Sequence, residues 1–500
     1  MATLVSTTLD AIPQIRTALR ATFAGGVTRP IQWRQNQLYQ LARMAHDERD
    51  AICDALQKDL GKPKTEVLAA EVGVVIKRAL KSAEKLPQWA KPEHPEVPAR
   101  QKLWKPTLYK APKGTVLIIS PWNYPMILSF QPLIGAIAAG CTAVLKPSEL
   151  VPTFSQLLAD IVPKYLDPNA FRVVNGYVPE TTKLLDLQWD HIFYTGNGKV
   201  ARIIASAAAK HLTPMTLELG GKSPVIIDST CDIDLAAKRI LWGKCNNAGQ
   251  ASLIHCQDLF KCRTGLIGVS FWQICVSPDY VLVQREKQDE LVKAFEKHYN
   301  AFFPEGALDS PMFGSIVSDL HHKRLTSLLT RTKGEVVLHG RVDPARRRME
   351  PTIVKDVADG DSLLEEELFG PILPIVPVDS LKHAIDFVNA RSHPLVLYAF
   401  SENESVKQQL VKETQSGNIV FNDTFQQLAV DDLPFGGVGE SGYGSQVMKY
   451  TYEAFSYLRS SIDMPKEAEP ELAKRYLPRS EEAVKALTAS VHLPIPRSSL

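Results

Sequence analysis

Cysteine is scarce in this chain: seven residues in 500, an odd number without paired spacing. A disulfide framework needs a denser, even set, so a stapled extracellular scaffold is excluded and a reducing, intracellular setting is expected. An excess of one charge is equally lacking. The 57 Lys and Arg against 55 Asp and Glu leave a formal charge of +2, with no basic stripe to attract nucleic acid or an anionic membrane. Nor is there a run near the roughly 18 uninterrupted apolar residues of a membrane span; the longest stretches, 114–119 and 132–145, are short and carry glycine. Met1 to Asp10 has no basic segment leading into an apolar one, so no secretory signal is expected there.

What is present is ordinary globular composition, 45% hydrophobic and 22% charged, which excludes a disordered or fibrous chain. At roughly 150 residues per domain the length suggests about two to four units. Leu38, Leu41, Ile52, Leu56 and Leu60 recur at helical spacing, so 33–86 is predicted to be mostly helix, broken at Gly61-Lys62-Pro63. The prolines at 92, 95 and 98 make 87–106 an extended connector. Strands are then predicted at 115–119, 142–145, 171–174 and 191–194, alternating with helices at 126–139 and 153–165. A second series places strands at 224–227 and 280–283 and helices at 233–243, 286–302 and 379–390. Residues 450–460 read as a late strand. Such alternation means parallel sheets covered by helices. The expected fold class is α/β: two parallel-sheet α/β domains with a small extra β element.

Seven short blocks could carry chemistry. Pro121-Trp122-Asn123-Tyr124-Pro125 follows a strand, where ligands of open parallel sheets bind; the Asn123 amide can donate to an oxyanion or simply cap the next helix. Lys146-Pro147-Ser148-Glu149 can grip a ribose's hydroxyls or stand as a solvated turn. Tyr194-Thr195-Gly196-Asn197-Gly198-Lys199-Val200-Ala201 loosely matches a glycine-rich phosphate turn opening on a helix N-terminus. In Glu218-Leu219-Gly220-Gly221-Lys222-Ser223-Pro224 a carboxylate precedes two glycines, a setting for a general base. Gly249-Gln250 and Ile274-Cys275-Val276-Ser277-Pro278-Asp279-Tyr280 hold a cysteine that would be a strong nucleophile as thiolate. Glu365-Glu366-Glu367-Leu368-Phe369-Gly370-Pro371 and Leu433-Pro434-Phe435-Gly436-Gly437-Val438-Gly439-Glu440-Ser441-Gly442 complete the set.

In this order the blocks resemble the aldehyde dehydrogenase superfamily over about residues 30–460. Arg34, Gln35, Leu38 and the Trp104 to Pro112 spacing resemble its class 3 or fatty aldehyde branch. The resemblance implies a Rossmann-like NAD(P)-binding domain (1–106 and 114–218), a catalytic domain (219–432), a bridging or oligomerisation arm (107–113 and 433–465) and a C-terminal tail (466–500). It implies Cys275 as nucleophile, Asn123 as oxyanion donor and Glu218 as the base that activates water. Lys146 and Glu149 would meet the adenosine ribose, Gly196 the pyrophosphate, and Glu367 with Phe369 the nicotinamide ribose and ring. NAD is the expected cofactor, with NADP left open by Lys146. The expected reaction is oxidation of a medium- or long-chain aliphatic aldehyde to its acid in a cytoplasmic homodimer. No metal or nucleic-acid partner is implied. The end of the chain, Leu493 to Leu500, carries no apolar anchor, which argues against membrane insertion and leaves peripheral association open.

One departure stands out. The family places one residue between Gly-Gln and the cysteine, whereas here the 23 residues Ala251 to Gln273 are added. Removing them restores Gly249-Gln250-Ile274-Cys275. The segment has no clear period, and His255, Cys256 and Cys262 are poorly spaced for zinc. Codons available for Gln250-Ala251-Ser252 and for Gln273 are compatible with splice borders, so a retained intron is one reading and a lineage-specific loop the other. A long loop here would displace the thiol, and an error of about 1 Å can cost about a hundredfold in rate. A catalytically silent NAD-binding homologue is therefore the alternative function. A CoA-acylating enzyme is disfavoured, because Glu218 suits hydrolysis.

Overall fold

The five residues of Thr115–Ile119 are buried along their whole length, as an apolar run does in a parallel strand with both faces covered. The computed structural model that contains it describes residues 4–245, 247, 276–338 and 340–496. Gly249-Gln250, the 251–273 segment and Cys275 lie outside the described residues. The chain divides into a large unit, Met1–Trp89 with Pro112–Ser456, and a small one, Ala90–Ala111 with Tyr457–Leu500.

The large unit carries two sheets. The first has the order Gly442–Tyr443, Met215–Leu219, His191–Gly196, Thr115–Ile119, Thr142–Lys146, Phe171–Val173. All pairs are parallel except the first, which is antiparallel. The chain steps from Thr115–Ile119 outward to Phe171–Val173 and returns on the other side at His191–Gly196, so the strand order reverses between Thr115–Ile119 and His191–Gly196. A crevice opens at the carboxyl ends of such a reversal. The second sheet runs Asn418–Phe421, Val396–Phe400, Pro224–Ile227, Tyr280–Gln284, Ile372–Val378, Thr352–Lys355, Glu335–Leu338. It is parallel except for its last pair. The fold is thus α/β with parallel-sheet bodies, as the alternation of elements predicts.

Helix Pro125–Ala139 is buried at every position. A helix apolar on all sides must be enclosed, and it packs against the strands Thr115–Ile119 and Thr142–Lys146 and the helices Ile31–Asp47, Gly73–Trp89 and Lys449–Ala454. Proline opens it and Gly140, at φ +91°, ends it, the placement both residues favour. Residues 450–460 differ from expectation: Lys449–Ala454 is helical and only Ser456–Ser461 is a strand. Their aromatic and β-branched composition reads as strand, but Thr451 and Tyr452 are buried in the helix that lies against Pro125–Ala139. Packing overrides that weak preference. An additional helix, Ala11–Ala24, precedes the predicted helical region. Strands Thr107–Pro112 and Ser456–Ser461, which apart from Pro112 and Ser456 belong to the small unit, pair with each other, and Asp463 donates its backbone N–H to the Trp104 carbonyl at 2.8 Å.

Candidate active site

Four adjacent strands of the first sheet deliver the candidate residues to one edge. Asn123 follows Thr115–Ile119, Lys146 ends Thr142–Lys146, Gly196 ends His191–Gly196, and Glu218 is next to last in Met215–Leu219. Parallel register aligns these ends: Ile119 pairs with Lys146 and with Tyr194, and Thr195 pairs with Glu218.

Asn123 is buried, and its carbonyl accepts from Asn247 Nδ2 at 3.3 Å. The next turn is fixed from below. Glu71 accepts the backbone N–H of Met126 at 2.8 Å and, more distantly, that of Ile127 at 3.4 Å. A carboxylate at a helix N-terminus meets the free N–H groups and the positive end of the dipole. Lys62 donates to the other Glu71 oxygen at 2.6 Å and lies 3.6 Å from the centre of the Tyr124 ring. The Tyr124 hydroxyl donates to Glu66 at 3.3 Å. Lys62 and Glu71 have no exposed side-chain surface, and their mutual charge replaces the lost water.

Glu218 is buried, and among the described residues neither of its oxygens has a hydrogen-bond partner of ordinary geometry. Burial drives its carboxyl well above the usual carboxylate range, opposed only by the Gln446 amide. An isolated carboxylate in an apolar site is neutral at rest and basic when ionised. That suits a group that takes a proton during a reaction.

Lys146 is buried and its Nζ lies 3.1 Å from Glu149 Oε2, while the Glu149 side chain is 38% exposed. The pair therefore offers a fixed cation and a reachable acceptor. Beside it, Gly196 leads into helix Gly198–Ala209, capped by the Asn197 side chain accepting from Val200 N. The Thr195 hydroxyl is buried there without a hydrogen-bond partner among the described residues.

Glu367 and Phe369 come from the segment that precedes strand Ile372–Val378. Lys222 draws that segment in: its Nζ pairs with Asp279 and donates to the carbonyls of Leu363 at 2.9 Å and Glu366 at 2.8 Å. Asp279 in turn accepts from Leu368 N at 3.0 Å. Arg324 donates to the carbonyls of Glu367 at 3.2 Å and Leu368 at 2.6 Å. The Glu367 carboxyl, raised to about 8 by burial and then by Asp279, accepts from the Gly221 backbone. Phe369, at φ +46°, meets Trp122 edge-on with ring centres 5.3 Å apart. The glycine pair after Glu218 thus touches Glu367, and the loop of Asn123 touches Phe369.

The aldehyde dehydrogenase family profile matches residues 2–257 and 268–461. The chain belongs to the aldehyde dehydrogenase family. Within it, the chain is similar to the dog protein named aldehyde dehydrogenase, dimeric NADP-preferring, 40% identical over 470 residues, covering 94% of this chain and 98% of that protein. It is similarly close to mouse aldehyde dehydrogenase family 3 member A2, 40% identical over 470 residues and covering 93% and 91%. The substrate-bound structure of Staphylococcus aureus AldH superposes with a TM-score of 0.87 at 38% identity, covering 96% of this chain and 99% of that one. The two matched stretches leave out residues 258–267, which fall inside the 251–273 segment.

In this aldehyde dehydrogenase a dinucleotide fits the residues present. The orphaned Thr195 hydroxyl lies beside the Gly196 turn, and Gly220 forms a cradle where a Cβ would stand 2.1 Å from the Glu367 carboxylate. Cys275, the expected nucleophile, lies outside the described residues. Sequence reading missed Asn247, Gln446 and the Lys62–Glu71 pair. Asn247 had a weak signal, two residues before Gly249. Gln446 had none, because Glu218 is remote in the chain, and Lys62 and Glu71, nine residues apart, had none because their spacing matches no helical or strand period.

Proposed function

We propose that the protein oxidises an aldehyde to its carboxylic acid through a covalent cysteine adduct, using NAD or NADP. The Cys275 thiolate adds to the aldehyde carbon, and the resulting oxyanion is held by the Asn123 amide. NAD(P), when bound, supplies the acceptor for the hydride that turns the thiohemiacetal into a thioester. Glu218 then takes a proton from water, the resulting hydroxide attacks the thioester, and the Cys275 thiolate leaves with its electron pair. Lys146 and Glu149 would hold the adenosine ribose, Gly196 would lie against the pyrophosphate, and Glu367 and Phe369 would seat the nicotinamide end. Both cofactors suit Lys146 and Glu149, and the dog relative is named NADP-preferring. The observation that supports this reading best is the buried Glu218, without a hydrogen-bond partner of ordinary geometry among the described residues, at the sheet edge that also presents Asn123.

The substrate is a medium- or long-chain aliphatic aldehyde by resemblance to the class 3 and fatty aldehyde branch. The working form is a homodimer joined through the small arm, whose Tyr109, Tyr457, Leu458 and Ile462 are exposed; the dog relative is named dimeric. The location is cytoplasmic, with peripheral membrane association open; no helix among the described residues is long and apolar enough to cross a membrane. The domain division is the one implied by the family resemblance: cofactor domain 1–106 and 114–218, catalytic domain 219–432, arm 107–113 and 433–465, tail 466–500.

A second reading is a cofactor-binding form silenced by residues 251–273, which contain the interruption in the family match. Closure entropy grows only logarithmically with the length of chain between two fixed points, so a 23-residue insertion leaves the fold able to form while the thiol would be misplaced. Full-length protein and protein lacking 251–273 are compared for cofactor affinity and for NADH or NADPH formation with a long-chain aldehyde. Turnover restored by the deletion, and abolished again by Cys275→Ala, is expected. Equal turnover with and without the segment would make it a tolerated loop, and full activity of Cys275→Ala would remove that cysteine from the chemistry.

A further inference from the structure

Gly442 pairs with Glu218 and Tyr443 with Leu217 in antiparallel register. This brings the chain just beyond, residues 444–448, against the strand that carries the candidate base. The approach is close: Gly442 has φ +117°, and a Cβ there would lie 1.9 Å from the Leu217 carbonyl oxygen. Four residues after Gly442, Gln446 is 1% exposed, and among the described residues neither its Nε2 nor its Oε1 has a hydrogen-bond partner of ordinary geometry. Its amide faces Glu218 and favours the ionised carboxylate. Two buried, unsatisfied polar side chains thus stand together.

The backbone around Gln446 is held under strain. Val447 has φ +87° and Met448 φ +49°, conformations that a branched or long side chain rarely adopts. Several bonds hold them there. Gln446 N donates to Phe435 O at 2.7 Å and Phe435 N returns a bond at 3.1 Å. Val447 N donates to Thr451 Oγ1 at 2.8 Å, and that oxygen also accepts from Gln131 Nε2 at 2.8 Å. Gln131 Oε1 accepts from Arg78 at 2.7 Å. Gln131 belongs to helix Pro125–Ala139, which begins two residues after Asn123. The chain of bonds therefore ties the backbone that follows Gln446 to the helix that begins just after Asn123.

We infer that Gln446 is a positioning residue for Glu218: its amide holds the carboxylate in place, Nε2–H donating to the ionised form and Oε1 accepting from the protonated form. An amide can serve both states, as neither a cation nor an apolar side chain can. No charged group among the described residues acts on Glu218. Of its flanking strands, one contributes Gly442 and the other Thr195. His191, on that second strand, bonds Thr216 at 3.0 Å and is kept neutral by burial. The inference rests on the proposed role of Glu218 only for its catalytic consequence; the placement itself is independent of turnover.

The test is a pH titration of the full-length chain by difference infrared spectroscopy, following the protonated carboxyl C=O band that Glu218→Gln removes. In Gln446→Met, similar in length, that band is expected to titrate about one pH unit higher, because a hydrogen bond to the anion is lost. Gln446→Asn should recover part of the shift. Should Gln446→Met fail to fold, Gln446→Ser carries the same comparison. An unchanged titration in a folded Gln446 variant would overturn the inference. Unchanged turnover in Glu218→Gln would instead remove Glu218 from the proposed chemistry, leaving the titration to decide Gln446 alone.

Discussion

The carboxylate of Glu367 closes over the backbone of Gly220, so tightly that a methyl group at position 220 would lie 2.1 Å from Oε2. The two residues are far apart in sequence, and the contact joins the strand end of Glu218 to the segment of Phe369. Gly220→Ala is expected to push Glu367 aside at an overpacking cost of about 1–3 kcal/mol. If that displacement falls on the cofactor, Kd for NADH rises about ten- to a hundredfold. Fluorescence titration of NADH against purified protein checks it, and an unaltered Kd would detach Glu367 from cofactor binding.

Glu367 also links stability to pH. Its carboxyl is raised from 4.5 to about 8 in the folded chain. The folded state therefore binds more protons than the unfolded state between these values, and stability falls as pH rises through that window. Below pH 4.5 the group contributes no such loss, and above about 8 the loss is complete. Urea unfolding midpoints at several pH values should decline less steeply in Glu367→Gln. Parallel slopes in the two proteins would contradict the assignment.

Glu218→Gln is expected to slow thioester hydrolysis by about 10²–10⁴-fold, with thioester formation less affected. In protein lacking 251–273 the sign is a burst of NADH followed by slow turnover in a stopped-flow trace. Steady-state turnover equal to that of the parent would take Glu218 out of the mechanism.

The Lys62–Glu71 pair is fully buried at 2.6 Å. Lys62→Met leaves Glu71 charged and unpaired, for which about 3–5 kcal/mol of destabilisation is expected. Adding Glu71→Leu removes the stranded charge but also the cap on Met126 and Ile127, so only part of the stability should return. Chemical denaturation of the two variants measures this. A single variant as stable as the parent would mean that the pair carries no net load.

Sequence alone determined the alternation of strands and helices, because period and turn residues are local: Thr115–Ile119 and Pro125–Ala139 emerge nearly as read. It also located the blocks that follow strands: Asn123, Lys146, Gly196 and Glu218 each stand at or just beyond a strand's carboxyl end, a place visible from the run that precedes it. The helix at Lys449–Ala454 was not legible, because its aromatic residues favour strand until packing against Pro125–Ala139 decides otherwise. Only the tertiary structure set Glu367 over Gly220, Lys62 beneath Tyr124 and Gln446 beside Glu218. Each contact joins residues whose separation in sequence carries no periodic signal, and each depends on burial, which alone turns a carboxylate, an ammonium or an amide into a group that must find a partner.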